Sequence, residues 1–170
     1  MAVFSPEAQA KLAALVPKYP TKMACTLPAL WIAQEEFGYL TPEAMKGVAD
    51  FLELPPSHVY SVASFYTMYH LEPTGKFLLE PCCSIGCYLV GGETIHQYIL
   101  DKLDIKEGGT TPDGLFTVRR AECLASCGSG PCLQINGDKY AENLTPAKVD
   151  ALLDELRQDA AEPAPGQAHS

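Results

Sequence analysis

Seven cysteines stand in this chain of 170 residues, at positions 25, 82, 83, 87, 123, 127 and 132. Six of them fall into two short neighbourhoods, "CCSIGC" from Cys82 to Cys87 and "CLASCGSGPC" from Cys123 to Cys132. Soft thiolates in sets of four suit tetrahedral zinc or an iron-sulfur cluster, because both prefer sulfur donors and tetrahedral geometry. Cys123 and Cys127 make the simpler pair. In the first neighbourhood either Cys82 or Cys83 can join Cys87, but not both, since adjacent residues of an extended chain point to opposite faces.

Spacing removes several other chemistries. The chain contains no CxxC, so a thioredoxin-type dithiol and the common zinc-ribbon knuckle are absent. It contains no CxxCH for covalent haem, no cysteine followed two residues on by histidine as in a Rieske centre, and no plant-type CxxxxCxxC. "CGSGPC" is not GxGxxG and precedes an expected strand, so it is not a phosphate loop. No general base or nucleophile pair stands out, and His58, His70, His96 and His169 are scattered.

Both cysteine neighbourhoods close expected strands. "KFLLEPC" is a short strand running into the first, and "LFTVRRAEC" alternates and delivers Cys123. Between them "GGETIHQYILDKLDI" is a helix starting after the glycines, and "KEGGTTPDG" an exposed loop. "CLQINGDKYAEN" reads as two strands joined at Asn136-Gly137. Thr145 caps a last amphipathic helix, Pro146 to Leu156, before an Ala/Pro-rich tail expected to be disordered. The order β-α-β-β-β-α predicts a small α/β sandwich.

The preceding residues read as helix. Ala8 to Val16 places Leu12, Leu15 and Val16 at helical spacing, ended by Pro17 and Pro20. "TLPALWIAQEEFGYL" sets Leu27, Leu30, Trp31 and Phe37 on one face, with Gly38 as its stop. Thr41 caps and Pro42 opens a third helix toward Leu54, and "PPSHVYSVASFYTMYH" is a short fourth with an aromatic tail. The texture changes at "LEPTGK", Leu71 to Lys76. The expected division is a helical domain over 1–71, a cluster-bearing domain over 72–157 and a tail over 158–170.

Composition narrows the partners. A net charge of −9, with only 12 Lys and Arg, argues against nucleic acid or an anionic membrane surface. No stretch of about 18 apolar residues offers a membrane span, and the N-terminus lacks a basic region followed by an apolar block. A cytosolic location is therefore expected, where reduced thiols point to metal or redox chemistry rather than disulfides.

With Cys82, Ser84 and Cys87 as CxSxxC, then 35 residues, then "ECLASCG", the pattern resembles that of the thioredoxin-like [2Fe-2S] ferredoxins. More closely, the chain resembles the NuoE-type [2Fe-2S] subunits of respiratory complex I, NADH:quinone oxidoreductase. The likeness runs over residues 5 to 157, through "GVADFLELPPSHVYSVASFYTMYHLEPTGK" with its "ASFY" and "PxGK", to "TPDGLFTVRRAECLASCGSGP".

That resemblance implies an α+β chain: an N-terminal helical bundle followed by a thioredoxin-like α/β sandwich domain holding a [2Fe-2S] cluster. It implies Cys82, Cys87, Cys123 and Cys127 as ligands. Cys83 is then a peripheral thiol, and Cys25 and Cys132 small buried hydrophobes. Backbone amides over Ser84 to Gly86 and Leu124 to Gly128, the hydroxyls of Ser84 and Ser126, and the start of the helix near Gly92 would tune the cluster. Of Arg119 and Arg120, one is expected to face solvent. The chain itself would carry no catalytic residue.

The implied role is electron transfer with an FMN- and NADH-binding flavoprotein subunit, peripheral to the inner membrane through the complex. Two alternatives stand beside it. Related subunits serve NAD-linked hydrogenases and formate dehydrogenases, and a zinc-stabilised interaction subunit without redox chemistry would use the same four thiols.

Overall fold

The computed structural model describes residues 4–161. It divides into two compact units, one ending at Pro73 and one starting at Thr74.

Among the described residues the first unit holds four α-helices: α1 (Pro6–Leu15), α2 (Thr26–Phe37), α3 (Pro42–Leu52) and α4 (Pro56–Phe65). Their ends follow local chemistry. Ser5 accepts from the Ala8 amide with Pro6 at the first helical position, so α1 starts two residues before the expected Ala8. Thr41 caps α3 through the Ala44 amide, and Gly38 ends α2 at a φ of +79°. On α2 the buried face differs from the expected one. Ala29, Leu30, Ala33, Thr26 and Gln34 are buried, whereas Trp31 is 42% exposed. Alanines let the neighbouring helices approach closely, and the large indole is left at the rim, 5.7 Å from the Tyr69 ring. Leu12, Leu30, Leu40, Val48, Leu52 and Val59 fill the core between the helices.

The second unit is a four-stranded sheet in the order β2-β1-β3-β4, with β1 (Phe77–Pro81), β2 (Phe116–Val118), β3 (Leu133–Ile135) and β4 (Lys139–Ala141). β1 pairs in parallel with β2 and antiparallel with β3. A parallel pair needs a crossover. Here it contains α5 (Ile85–Leu89) and α6 (Gly92–Leu103). The β3–β4 hairpin turns at Asn136 and Gly137, both at positive φ, as the Asn-Gly pair predicts. α7 (Pro146–Ala161), capped at Thr145, continues into the stretch expected as tail; residues 162–170 of that tail lie outside the described residues.

One core joins the sheet to α6 and α7. Leu79, Phe116, Val118 and Leu133 meet Ile99, Val149 and Leu153, all essentially buried. Phe116 packs against Phe77 at 5.8 Å between ring centroids. The sheet's central strand is thereby fixed just before the first cysteine.

Candidate metal centre

The regular strands end before the cysteines, but their ladder does not. Arg119 N–H donates to Leu79 O, Ala121 N–H to Pro81 O and Cys83 N–H to Ala121 O, so Cys82 and Ala121 form a parallel bridge beyond β1 and β2. On the other side Cys82 N–H donates to the Cys132 carbonyl at 3.0 Å. The backbone of Cys82 is therefore held between the segments that carry Cys123 and Cys132.

Ser84 then starts α5, a helix of five residues where the sequence predicts only a loop. Cys87 sits within it and retains 1% exposure. Gly91, at a φ of +94°, breaks the chain into α6. A Cβ on Gly92 would lie 2.8 Å from the Cys87 carbonyl oxygen, so the glycine is what lets α6 begin against the cysteine turn.

The sulfurs of Cys82, Cys87 and Cys132 all lie within 4.8 Å of one another, and all three residues are buried. Cys87 and Cys132 are 3.8 Å apart. Cys132 is buried, as expected of a small apolar residue, but it touches thiols rather than apolar side chains alone. Pairing of β3 with β1 brings it there, and nothing in the linear spacing from Cys127 reveals that pairing.

Burial pushes the Cys82 thiol up, yet the amides of Ser84 and Leu124 donating to its sulfur, with the neighbouring thiols of Cys87 and Cys132, bring it below its ordinary value. The Leu124 amide belongs to the second cysteine loop. Burial and then the Cys82 sulfur raise Cys87, and burial pushes Cys132 up to about 12.

Cys123 and Cys127 are exposed and lie outside the group of three. Between them Ala125 takes a φ of +56°, and its N–H donates to Cys123 Sγ. Cys127 opens a 3₁₀ turn, Cys127–Ser129, and its Sγ stands 3.4 Å from where a Cβ on Gly86 would be. Gly86 therefore leaves room for this thiol beside the first loop. The Ser126 hydroxyl, expected to tune the cluster, serves a carboxylate instead: Ser126 and Ser129 both donate to Glu142, whose carboxyl they hold below the usual range.

Cys83 is half-buried beside the group without joining it, and burial, then the Glu122 charge, raise its thiol. Neither arginine of the approach to Cys123 merely faces water. Arg119 pairs with Glu80 at 2.9 Å, and Arg120 pairs with Glu93 at 2.6 Å and with Glu107. Around the site Ile85, Tyr88, Leu89 and Val90 are 54–75% exposed.

The donor set fits a [2Fe-2S] cluster. Two cysteine loops meet at one end of the sheet, the sulfurs are soft ligands, and the Cys127 sulfur of one loop lies against Gly86 of the other.

Comparison with known proteins agrees. Residues 12–157 match the family model described as thioredoxin-like [2Fe-2S] ferredoxin. A subunit of the NADH-quinone oxidoreductase of Rhizobium meliloti (strain 1021) is 40% identical over 147 residues, covering 86% of this chain and 87% of that one. A subunit of the NADH-quinone oxidoreductase of Thermus thermophilus is 41% identical over 142 residues, covering 82% and 78%. Among solved structures, an NAD+-reducing [NiFe]-hydrogenase in the air-oxidized state superposes with a TM-score of 0.69 at 22% identity, over 79% of this chain and 23% of that one. At that identity the likeness speaks for the fold.

Proposed function

The chain belongs to the thioredoxin-like [2Fe-2S] ferredoxin family, and from that premise we propose that it is the electron-transfer subunit of the NADH-dehydrogenase module of an NADH:quinone oxidoreductase. The observation that carries this reading is the meeting of the two cysteine loops at one sheet end, in a chain 40% and 41% identical to subunits of that complex over most of its length. Cys82, Cys87, Cys123 and Cys127 hold the cluster. When bound, a [2Fe-2S] centre supplies one-electron transfer.

The protein's own contribution is electrostatic and positional. The Ser84 and Leu124 amides favour the thiolate of Cys82. The sheet fixes that residue from both sides, and the Arg119–Glu80 and Arg120–Glu93 pairs secure the strand leading to Cys123. No side chain here is assigned bond-making chemistry. FMN and NADH belong on a flavoprotein partner subunit. The exposed Ile85, Tyr88, Leu89 and Val90, beside the open thiols of Cys123 and Cys127, provide an apolar face for that partner's approach. Among the described residues no helix is long and apolar enough to cross a membrane. Attachment to the inner membrane is through the complex.

The test is the visible and EPR spectrum of anaerobically purified protein before and after dithionite, with iron and zinc assayed on the same sample and copurifying subunits identified. Two irons per chain and an S = 1/2 signal appearing only on reduction are expected, with a flavin-bearing chain in the complex. A colourless protein holding zinc would replace this reading with a structural module. Copurification with hydrogenase or formate dehydrogenase subunits would keep the chemistry and change the host. Cys83→Ser should leave the visible spectrum intact; its loss there, with retention in Cys82→Ser, would shift the ligand register by one.

A further inference from the structure

The three buried thiols of Cys82, Cys87 and Cys132 come from three differently anchored pieces of backbone: the end of β1, a turn of α5 and the entry to β3. Two of those pieces are hydrogen-bonded to each other at the cysteines themselves, Cys82 N–H to Cys132 O. In a tetrahedral site with metal-sulfur bonds of about 2.3 Å, two sulfur ligands stand about 3.8 Å apart. Cys87 and Cys132 are separated by 3.8 Å, and the third sulfur is within 4.8 Å of both.

We propose that the cluster-free chain carries a second metal site, in which Cys82, Cys87 and Cys132 bind one thiophilic divalent ion of the zinc class. Its competition with the cluster rests on the ligand reading above, because the site shares Cys82 and Cys87 with the cluster and adds a thiol the cluster does not use. Cys123 and Cys127 stay outside it. The zinc-loaded and cluster-loaded states therefore exclude one another, and bound zinc blocks cluster assembly until it is displaced. Its preference for soft metals follows from the donors. The fourth coordination position is left to a non-sulfur ligand.

The experiment uses the full chain, stripped of iron under anaerobic reducing conditions and titrated with zinc chloride against a chromophoric chelator. One zinc per chain is expected. Loss of an outer partner already costs about 10- to 100-fold in metal affinity, so Cys132→Ala, which removes a ligand, should weaken zinc by at least about tenfold. The double variant Cys123→Ser/Cys127→Ser should bind zinc like the parent. Unchanged affinity in Cys132→Ala, or loss of zinc in the double variant, overturns the proposal.

A measurement on the unmutated chain guards against misfolded variants. With zinc bound, Cys123 and Cys127 should react with iodoacetamide as fast as in the metal-free chain; protection of that pair by zinc overturns the three-thiol site. Reconstitution with iron and sulfide separates the two readings. Loss of the visible spectrum in the double variant, with zinc binding retained, supports both. A parent chain that binds zinc at the three thiols but never forms a cluster removes the electron-transfer reading and leaves the zinc site standing.

Discussion

Cys82 and Cys87 retain 4% and 1% exposure, sit on the continuation of a central strand and on a helical turn, and have a third thiol against them. Cys123 and Cys127, which the same cluster would use, are exposed in a loop held at its edges, by the ladder through Ala121 and by the Glu142 contacts. The packed loop owes its shape to the sheet and to α6. The open loop owes its shape to a few polar contacts and to a residue at positive φ. One half of the proposed ligand set is thus organised by the polypeptide core, and the other half is left where a partner or an incoming metal can reach it.

If the sheet underlies both loops, damage to it should erase the difference between them. Phe116 is 1% exposed and packs on Phe77 beside the β1–β2 ladder. Phe116→Ala should cost about 3–5 kcal/mol, read by denaturant unfolding of the metal-free chain. Both cysteine pairs should then alkylate at similar rates under mild denaturant. Persistent protection of Cys82 and Cys87 would mean that α5 and α6 alone organise the first loop.

A matched pair of glycine substitutions sharpens the contrast. At Gly92 an added Cβ meets the Cys87 carbonyl oxygen at 2.8 Å and its carbon at 2.9 Å, both backbone atoms that cannot swing away. Gly92→Ala should therefore cost about 1–3 kcal/mol, the usual range for overpacking. At Gly128, in the second loop, a Cβ meets nothing within 4 Å, so Gly128→Ala should stay within about 0.5 kcal/mol of the parent. Equal costs in denaturant melts would show that the second loop is as tightly packed as the first.

Much of this arrangement is legible in the chain itself. The caps at Thr41 and Thr145, the stop at Gly38 and the Asn136-Gly137 hairpin carry short-range signals and appear where those signals place them. Both cysteine neighbourhoods are visible because they are clusters in sequence. What escapes are features made by pairing and packing. α5 is too short to show a helical period, Trp31 yields its expected inner place to alanines, and Cys132 reaches Cys87 only because β3 runs antiparallel to β1. A residue at helical spacing says which face it shares; it does not say how closely the next helix approaches.

The smallest effect expected concerns the polar clasp of the open loop. Glu142 accepts from Ser126 and Ser129, on either side of Cys127, and these hydroxyls hold its carboxyl below the usual range. A folded-state pKa that is depressed contributes stability present above the unfolded value and lost as pH falls through the folded one. Glu142→Gln should therefore lower the melting temperature slightly at neutral pH. The gap between parent and variant should stay constant down to the ordinary carboxylate range and close below it, where both side chains are uncharged. Alkylation of Cys127 should quicken in the variant while Cys87 stays unchanged, because the clasp touches only the second loop. If Cys87 quickens equally, the two loops are mechanically coupled, and the approach of the Cys127 sulfur to Gly86 is the link that would carry it.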